Sequence, residues 1–111
     1  MDKLDQYRTI IKNILEADAH YKPSHGDIDP IIIFDEQHDH YQLMYLGWDR
    51  PRRVHAVIVH LRLHDGKIWI EYNGTAEGVA QALLDAGVPK EDIVLAFHPP
   101  EKRPFTGFAV A

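Results

Sequence analysis

The chain has 111 residues, 45% hydrophobic and 26% charged, a balance that fits one globular domain (1–111) and excludes a disordered chain. It has no cysteine, which excludes disulfides and thiolate metal sites. A formal net charge of −5 argues against generic nucleic-acid binding, whose affinity comes mainly from neutralising phosphates. No apolar run approaches the roughly 18 residues needed to span a bilayer. The opening MDKLDQYRTI has no apolar signal core, so a cytoplasmic protein is expected. Protonating all eight histidines would carry the charge to +3, so its sign changes over mildly acidic pH.

Residues 2–19 read as a helix. Leu4, Tyr7, Ile11, Ile14 and Leu15 recur at three- and four-residue spacing with Ile10 beside them, and Asp18 breaks the stripe. Asp2 and Asp5 stand where the helix dipole favours anions. Pro23, Gly26 and Pro30 mark residues 20–30 as a connector. Ile31 to Phe34 reads as a short strand, DEQHD as a polar turn, and His40 to Trp48 as a second strand whose imperfect alternation suggests burial on both faces. Asp49 to Arg52 is the next turn.

The stretch from Val54 to Tyr72 is the strongest local signal. Val57, Val59, Leu61 and Leu63 alternate with His60, Arg62 and His64. Asp65-Gly66 then supplies the two positive-φ positions of a type I′ hairpin turn. A two-residue loop fixes the register. His64 should face Lys67, Leu63 Ile68, Arg62 Trp69, Leu61 Ile70, His60 Glu71, and Val59 Tyr72. The Leu63, Leu61 and Val59 pairs share a core face. The other face carries a cation–π pair, Arg62/Trp69, and an ion pair, His60/Glu71.

After Asn73-Gly74, Thr75 is the expected N-cap of a helix burying Val79, Ala82, Leu83 and Ala86, which Gly87 ends as the C′ residue. Pro89 can open one further helical turn, and Ile93 to Phe97 reads as extended. The three prolines of HPPEKRPFTGFAVA argue against helix, while its apolar end argues for a docked tail. The expected fold is α+β in two layers: an N-terminal helix, a four-stranded antiparallel meander, a second helix and an extended tail.

Charge is segregated along the chain. Residues 16–39 hold seven acids and one lysine; residues 50–62 hold Arg50, Arg52, Arg53 and Arg62 and no acid. This reads as two solvated surfaces, or as complementary patches for a partner or a second copy. Tyr45, Trp69, Phe105 and Phe108 add aromatic surface to that reading, and self-association is expected.

Catalytic and metal motifs are sparse. His38 and His40 would lie about 6.6 Å apart on one strand face, but His60 and His64 would be roughly 13 Å apart, too far for one ion. Ser24 is the one serine and lacks a nucleophile-elbow context, and there is no phosphate-binding loop. The residues therefore predict a protein that is not an enzyme and takes no metal or cofactor.

Taken together, the opening MDKLDQYRTII, FDEQHDHYQLMYLGW, HLRLHDGKIWIEYNGTAEGVA and GVPKEDIVLAFHPPEKRPFTGFAVA resemble the XisI-like family, the fdxN element excision controlling factor proteins of cyanobacteria. The resemblance covers nearly the whole chain. It departs at Asn73 to Ala76, where an acidic turn is the family expectation, and at Gly107, where a glutamate is. It implies an accessory role in DNA element excision through protein–protein contact. The implied partners are a site-specific recombinase or a companion, XisH, of nuclease-like fold. The alternatives it implies are an antitoxin-like inhibitor of that companion and a direct DNA-binding excision factor. The residues proposed for contact are Arg50, Arg52, Arg53, Arg62, Trp69, Phe105 and Phe108.

Overall fold

The computed structural model describes residues 2–75 and 78–111; Ala76, part of the departure from the expected acidic turn, lies outside them. The first helix, α1 (Lys3–Ala19), opens on Asp2, whose carboxylate accepts the Asp5 N–H at 2.8 Å and satisfies a first-turn donor. Its buried residues are Tyr7, Ile11 and Leu15, spaced by one helical turn.

Strands β1 (Asp27–Asp35), β2 (His40–Asp49), β3 (Arg52–His64) and β4 (Lys67–Asn73) follow as an antiparallel meander. The first strand starts at Asp27, four residues before the expected Ile31. It is the edge of the sheet, where Pro30 is tolerated because one side needs no hydrogen bonds.

The hairpin turns as expected, with φ of 52° at Asp65 and 76° at Gly66. Four of the six derived pairs hold, from His64/Lys67 to Leu61/Ile70. The last two do not. A bulge leaves Glu71 unpaired, so His60 faces Tyr72 and Val59 faces Asn73. Tyr72 therefore leaves the expected core position and is half exposed. Glu71 accepts from Arg62 Nε at 3.1 Å instead of meeting His60.

The expected four-stranded sheet has five strands. After α2 (Val79–Asp85), β5 (Ile93–Leu95) pairs parallel to β4, Ile68 beside Ile93. A parallel neighbour needs a crossover connection, and α2 is that crossover. Three residues are too few to show a period, which is why Ile93 to Phe97 reads only as extended; the strand ends at Leu95, where His98 N–H closes a turn onto its carbonyl.

Thr75 is not the cap of α2. That helix starts at Val79 behind Gly78, while the Thr75 hydroxyl and N–H both donate to Asn73 Oδ1, at 2.7 and 3.2 Å. The expected non-helical tail includes a 3₁₀ segment, Pro100–Phe105, because proline suits a first helical position. The tail docks on its own chain: Ala109 N–H donates to the Ile93 carbonyl at 2.9 Å, and Phe108 packs against the core.

Both helices lie on one side of the sheet. Tyr7, Ile11, Leu15, Val79 and Leu83 form one buried cluster with Tyr41, Leu43, Val59, Leu61, Ile68 and Ile70. Two tyrosine hydroxyls enter this core, and each is met by an aspartate that also binds a cation from α1. Tyr7 donates to Asp92, which Lys3 reaches at 2.7 Å. Tyr41 donates to Asp39 at 2.8 Å, and the Arg8 guanidinium forks onto the same carboxylate at 2.8 and 3.1 Å. Burial, reinforced by these carboxylates, raises both phenols far above their ordinary value.

Candidate interaction face

Strand alternation sends every second side chain away from α1 and α2, and among the described residues neither helix covers that second face over β1 to β3. Three levels repeat across β1, β2 and β3: Asp27–Trp48–Arg53, Asp29–Leu46–His55 and Ile31–Met44–Val57. Trp48 is 54% exposed and Ile33, further along β1, 46%. Half-buried Ile31, Met44, Leu46 and Val57 lie between them.

The arginines expected to form one patch are dispersed. Arg50 is exposed in the turn and Arg52 reaches Asp49 at 3.5 Å. Arg53 lies over the Trp48 ring, 5.5 Å from its centroid. Arg62 is at the far end of β3, 4.9 Å from the Trp69 centroid, which confirms the expected cation–π pair. Arg103, missed in the sequence because it arrives from the tail, joins the same ring at 5.5 Å. Its guanidinium also donates to the carbonyls of His98, Ala96 and Val110. The Arg53–Trp48 contact could have been found by counting back across the Asp49–Arg52 turn.

The aromatics divide as well. Phe105 is 88% exposed, whereas Phe108 is part of the core margin under Lys90. Tyr45 lies on the helix side, lining a cleft of about 420 Å³ with Asp18, Tyr21, Ile58 and Val79. The acidic run is largely spent inside the chain. Asp39 binds Arg8, Glu36 binds Lys12, Asp29 binds Lys22, and Asp35 binds His38.

The histidines do not follow the expected spacing. His38 turns to Asp35, while His40 Nδ1 meets His60 Nε2 at 3.0 Å across the strands. Among the described residues no three His, Cys, Asp or Glu side chains gather as metal ligands. A ring-to-ring hydrogen bond needs one imidazole to accept, so it fails when both are protonated. Burial holds His60 below its ordinary value; His40 and Arg62 push the same way and Glu71 opposes them. The folded state thus binds fewer protons at His60, and its stabilising effect is full above about pH 6.5 and lost as pH falls below it. The melting temperature should fall between about pH 7 and pH 5.5, and His60→Phe should flatten that slope. An unchanged slope would place the titration on another histidine.

No helix among the described residues is long and apolar enough to cross a membrane. No curated protein matches the chain. The family model described as XisI protein matches residues 1–110. Among solved structures, a XisI-like protein from Anabaena variabilis is 37% identical with a TM-score of 0.91, covering 97% of this chain and 99% of that one. The fdxN element excision controlling factor XisI from Anabaena variabilis is 39% identical with a TM-score of 0.84, covering 99% and 100%. Family match, fold and near-complete coverage agree: the chain belongs to the XisI family.

Proposed function

We propose that this protein controls the excision of a DNA element as an accessory factor, acting through contact with a protein partner and not through chemistry of its own. The observation that carries the reading is the full-length likeness to the Anabaena protein whose name is that role. The partner classes are a recombinase or a XisH-like protein of nuclease-like fold, which this chain either recruits or restrains. The Trp69 end of the uncovered face suits such a contact. Arg62, Trp69 and Arg103 form a cationic–aromatic group, and the 3₁₀ segment that carries Arg103 also presents Phe105 to solvent. Exposed aromatics and arginine are the side chains that most often dominate partner binding.

Direct DNA contact has less support. Arg52 and Arg62 are engaged with Asp49 and Glu71, and Arg103 with backbone carbonyls, so few cations remain for phosphate. Such binding would be weak, with a salt slope of about −0.9 per phosphate contacted.

The test is co-expression with a XisH-like protein and capture of the pair. Phe105→Asp should leave the fold intact and weaken capture at least tenfold, since its ring touches little of the core. Capture unchanged by the substitution would move the contact elsewhere. Sequence-specific retention of excision-site duplex by the isolated protein at nanomolar concentration and near-physiological salt would replace the proposal with the DNA-binding reading.

A further inference from the structure

We infer that the uncovered face of β1–β3 is the seat of a second copy of this chain, with the twofold axis running along β2. The argument starts from the order of charges across the face. At the level of Trp48, Asp27 stands on one side and Arg53 on the other, each about 4.8 Å away. Asp27 has no cationic partner and Arg53 no carboxylate among the described residues. At the next level Asp29 and His55 flank Leu46, and at the third Ile31 and Val57 flank Met44.

Two identical sheets that pack face to face keep their strands within about 30° of one another. A dyad along β2 then lays β1 of each copy over β3 of the other, at the same level. Asp27 meets the second copy's Arg53, Asp29 meets His55, and Ile31 meets Val57. Trp48, Leu46 and Met44 meet their own counterparts on the axis. Asp27 and Arg53, neither spent on an ion pair in its own chain, face each other's opposite charge. Asp29, which Lys22 also reaches, faces an imidazole, and Ile31 faces Val57, which is the self-complementarity a twofold interface requires. An in-plane dyad across the strands would instead stack β1 on β1 and leave Asp27 and Asp29 without a basic strand. The levels used all lie on one side of the bulge between Leu43 and Met44, so the register that aligns them is unbroken.

The arrangement uses the Trp48 end of the face and leaves Trp69 and Phe105 outside the pairing, so it stands whether or not the excision role holds.

Sedimentation of the full chain at tens of micromolar should give twice the 12.8 kDa chain mass. Asp27→Arg and Arg53→Asp are exposed substitutions that should leave the circular dichroism unchanged. Each alone places like charges at both ends of the dyad and should weaken the dimer more than tenfold. Mixing the two variants should restore it. The mixed dimer joins the two substituted positions in one contact, with their charges exchanged, and keeps the original residues in the other. A monomer at these concentrations would overturn the inference. So would a dimer indifferent to either charge reversal, or a loss that mixing does not repair.

Discussion

Gly47→Ala is expected to cost about 3 kcal/mol or more of stability, enough to unfold a marginal domain. Gly47 lies in β2 with φ of +154°, and β1 passes against it so closely that a Cβ would sit 2.0 Å from the Asp27 carbonyl oxygen and 2.7 Å from Ile28 Cα. Both neighbours are backbone, so no side chain can swing aside. Relief would require β1 to lift from the sheet and expose Ile28, which is buried beneath it. Gly66 is the control. Its φ of +76° also disfavours a side chain, but nothing lies within 4 Å of a Cβ built there. Gly66→Val should therefore carry backbone strain alone, about 1–2 kcal/mol. Urea denaturation midpoints compare the two directly. Equal losses would refute the close approach at Gly47, and an unchanged Gly66→Val midpoint would refute the type I′ turn.

The second large effect is expected at Asp39. Asp39→Ala leaves the Tyr41 hydroxyl without its acceptor, on a side chain that is fully buried, and should cost about 2–3 kcal/mol. Alanine at φ of 58° adds further strain, which Asn avoids because it tolerates the left-handed region. Asp39→Asn should thus be the milder change. Tyr41→Phe combined with Asp39→Ala should cost less than the two losses added, since one interaction is removed twice. Additive losses would separate the two groups.

The same carboxylate sets the acid limit. The Arg8 guanidinium holds Asp39 below its ordinary value against the opposing effect of burial, with the Tyr41 hydroxyl assisting. Burial would raise Asp92, but Lys3 and Tyr7 more than offset it and it too is lowered. Both groups bind fewer protons folded than unfolded. Their contribution is complete above the unfolded carboxylate value of about 3.9 and disappears as pH falls through the folded values. Asp39→Asn should flatten stability against pH below about 4.

What the sequence made legible was local. The spacing of Tyr7, Ile11 and Leu15 and the alternation around Asp65-Gly66 each follow from one periodicity, and the structure keeps them. Register derived outward from the hairpin turn held for four pairs and failed at Glu71, because a bulge inserts a residue without leaving a mark in the hydrophobic pattern. The features that arrive from far along the chain were not legible. Arg103 over Trp69, His40 against His60, and β5 beside β4 depend on how the chain returns, which no spacing encodes. Of the proposed contact residues, Arg62 and Trp69 were brought together as a pair, Arg50, Arg52 and Arg53 were dispersed along one end, and Phe108 was drawn into the core margin.

The bond between Tyr7 and Asp92 spans 85 positions of the 111-residue chain. During synthesis the helix that bears Tyr7 leaves the ribosome well before the carboxylate that completes it. Until then the Tyr7 hydroxyl must stay hydrated, and the helix cannot settle fully on the sheet. Folding is therefore expected to finish only after the chain through Asp92 has emerged. A stalled nascent chain ending before Asp92 should remain open to protease along its first helix, while the finished chain resists.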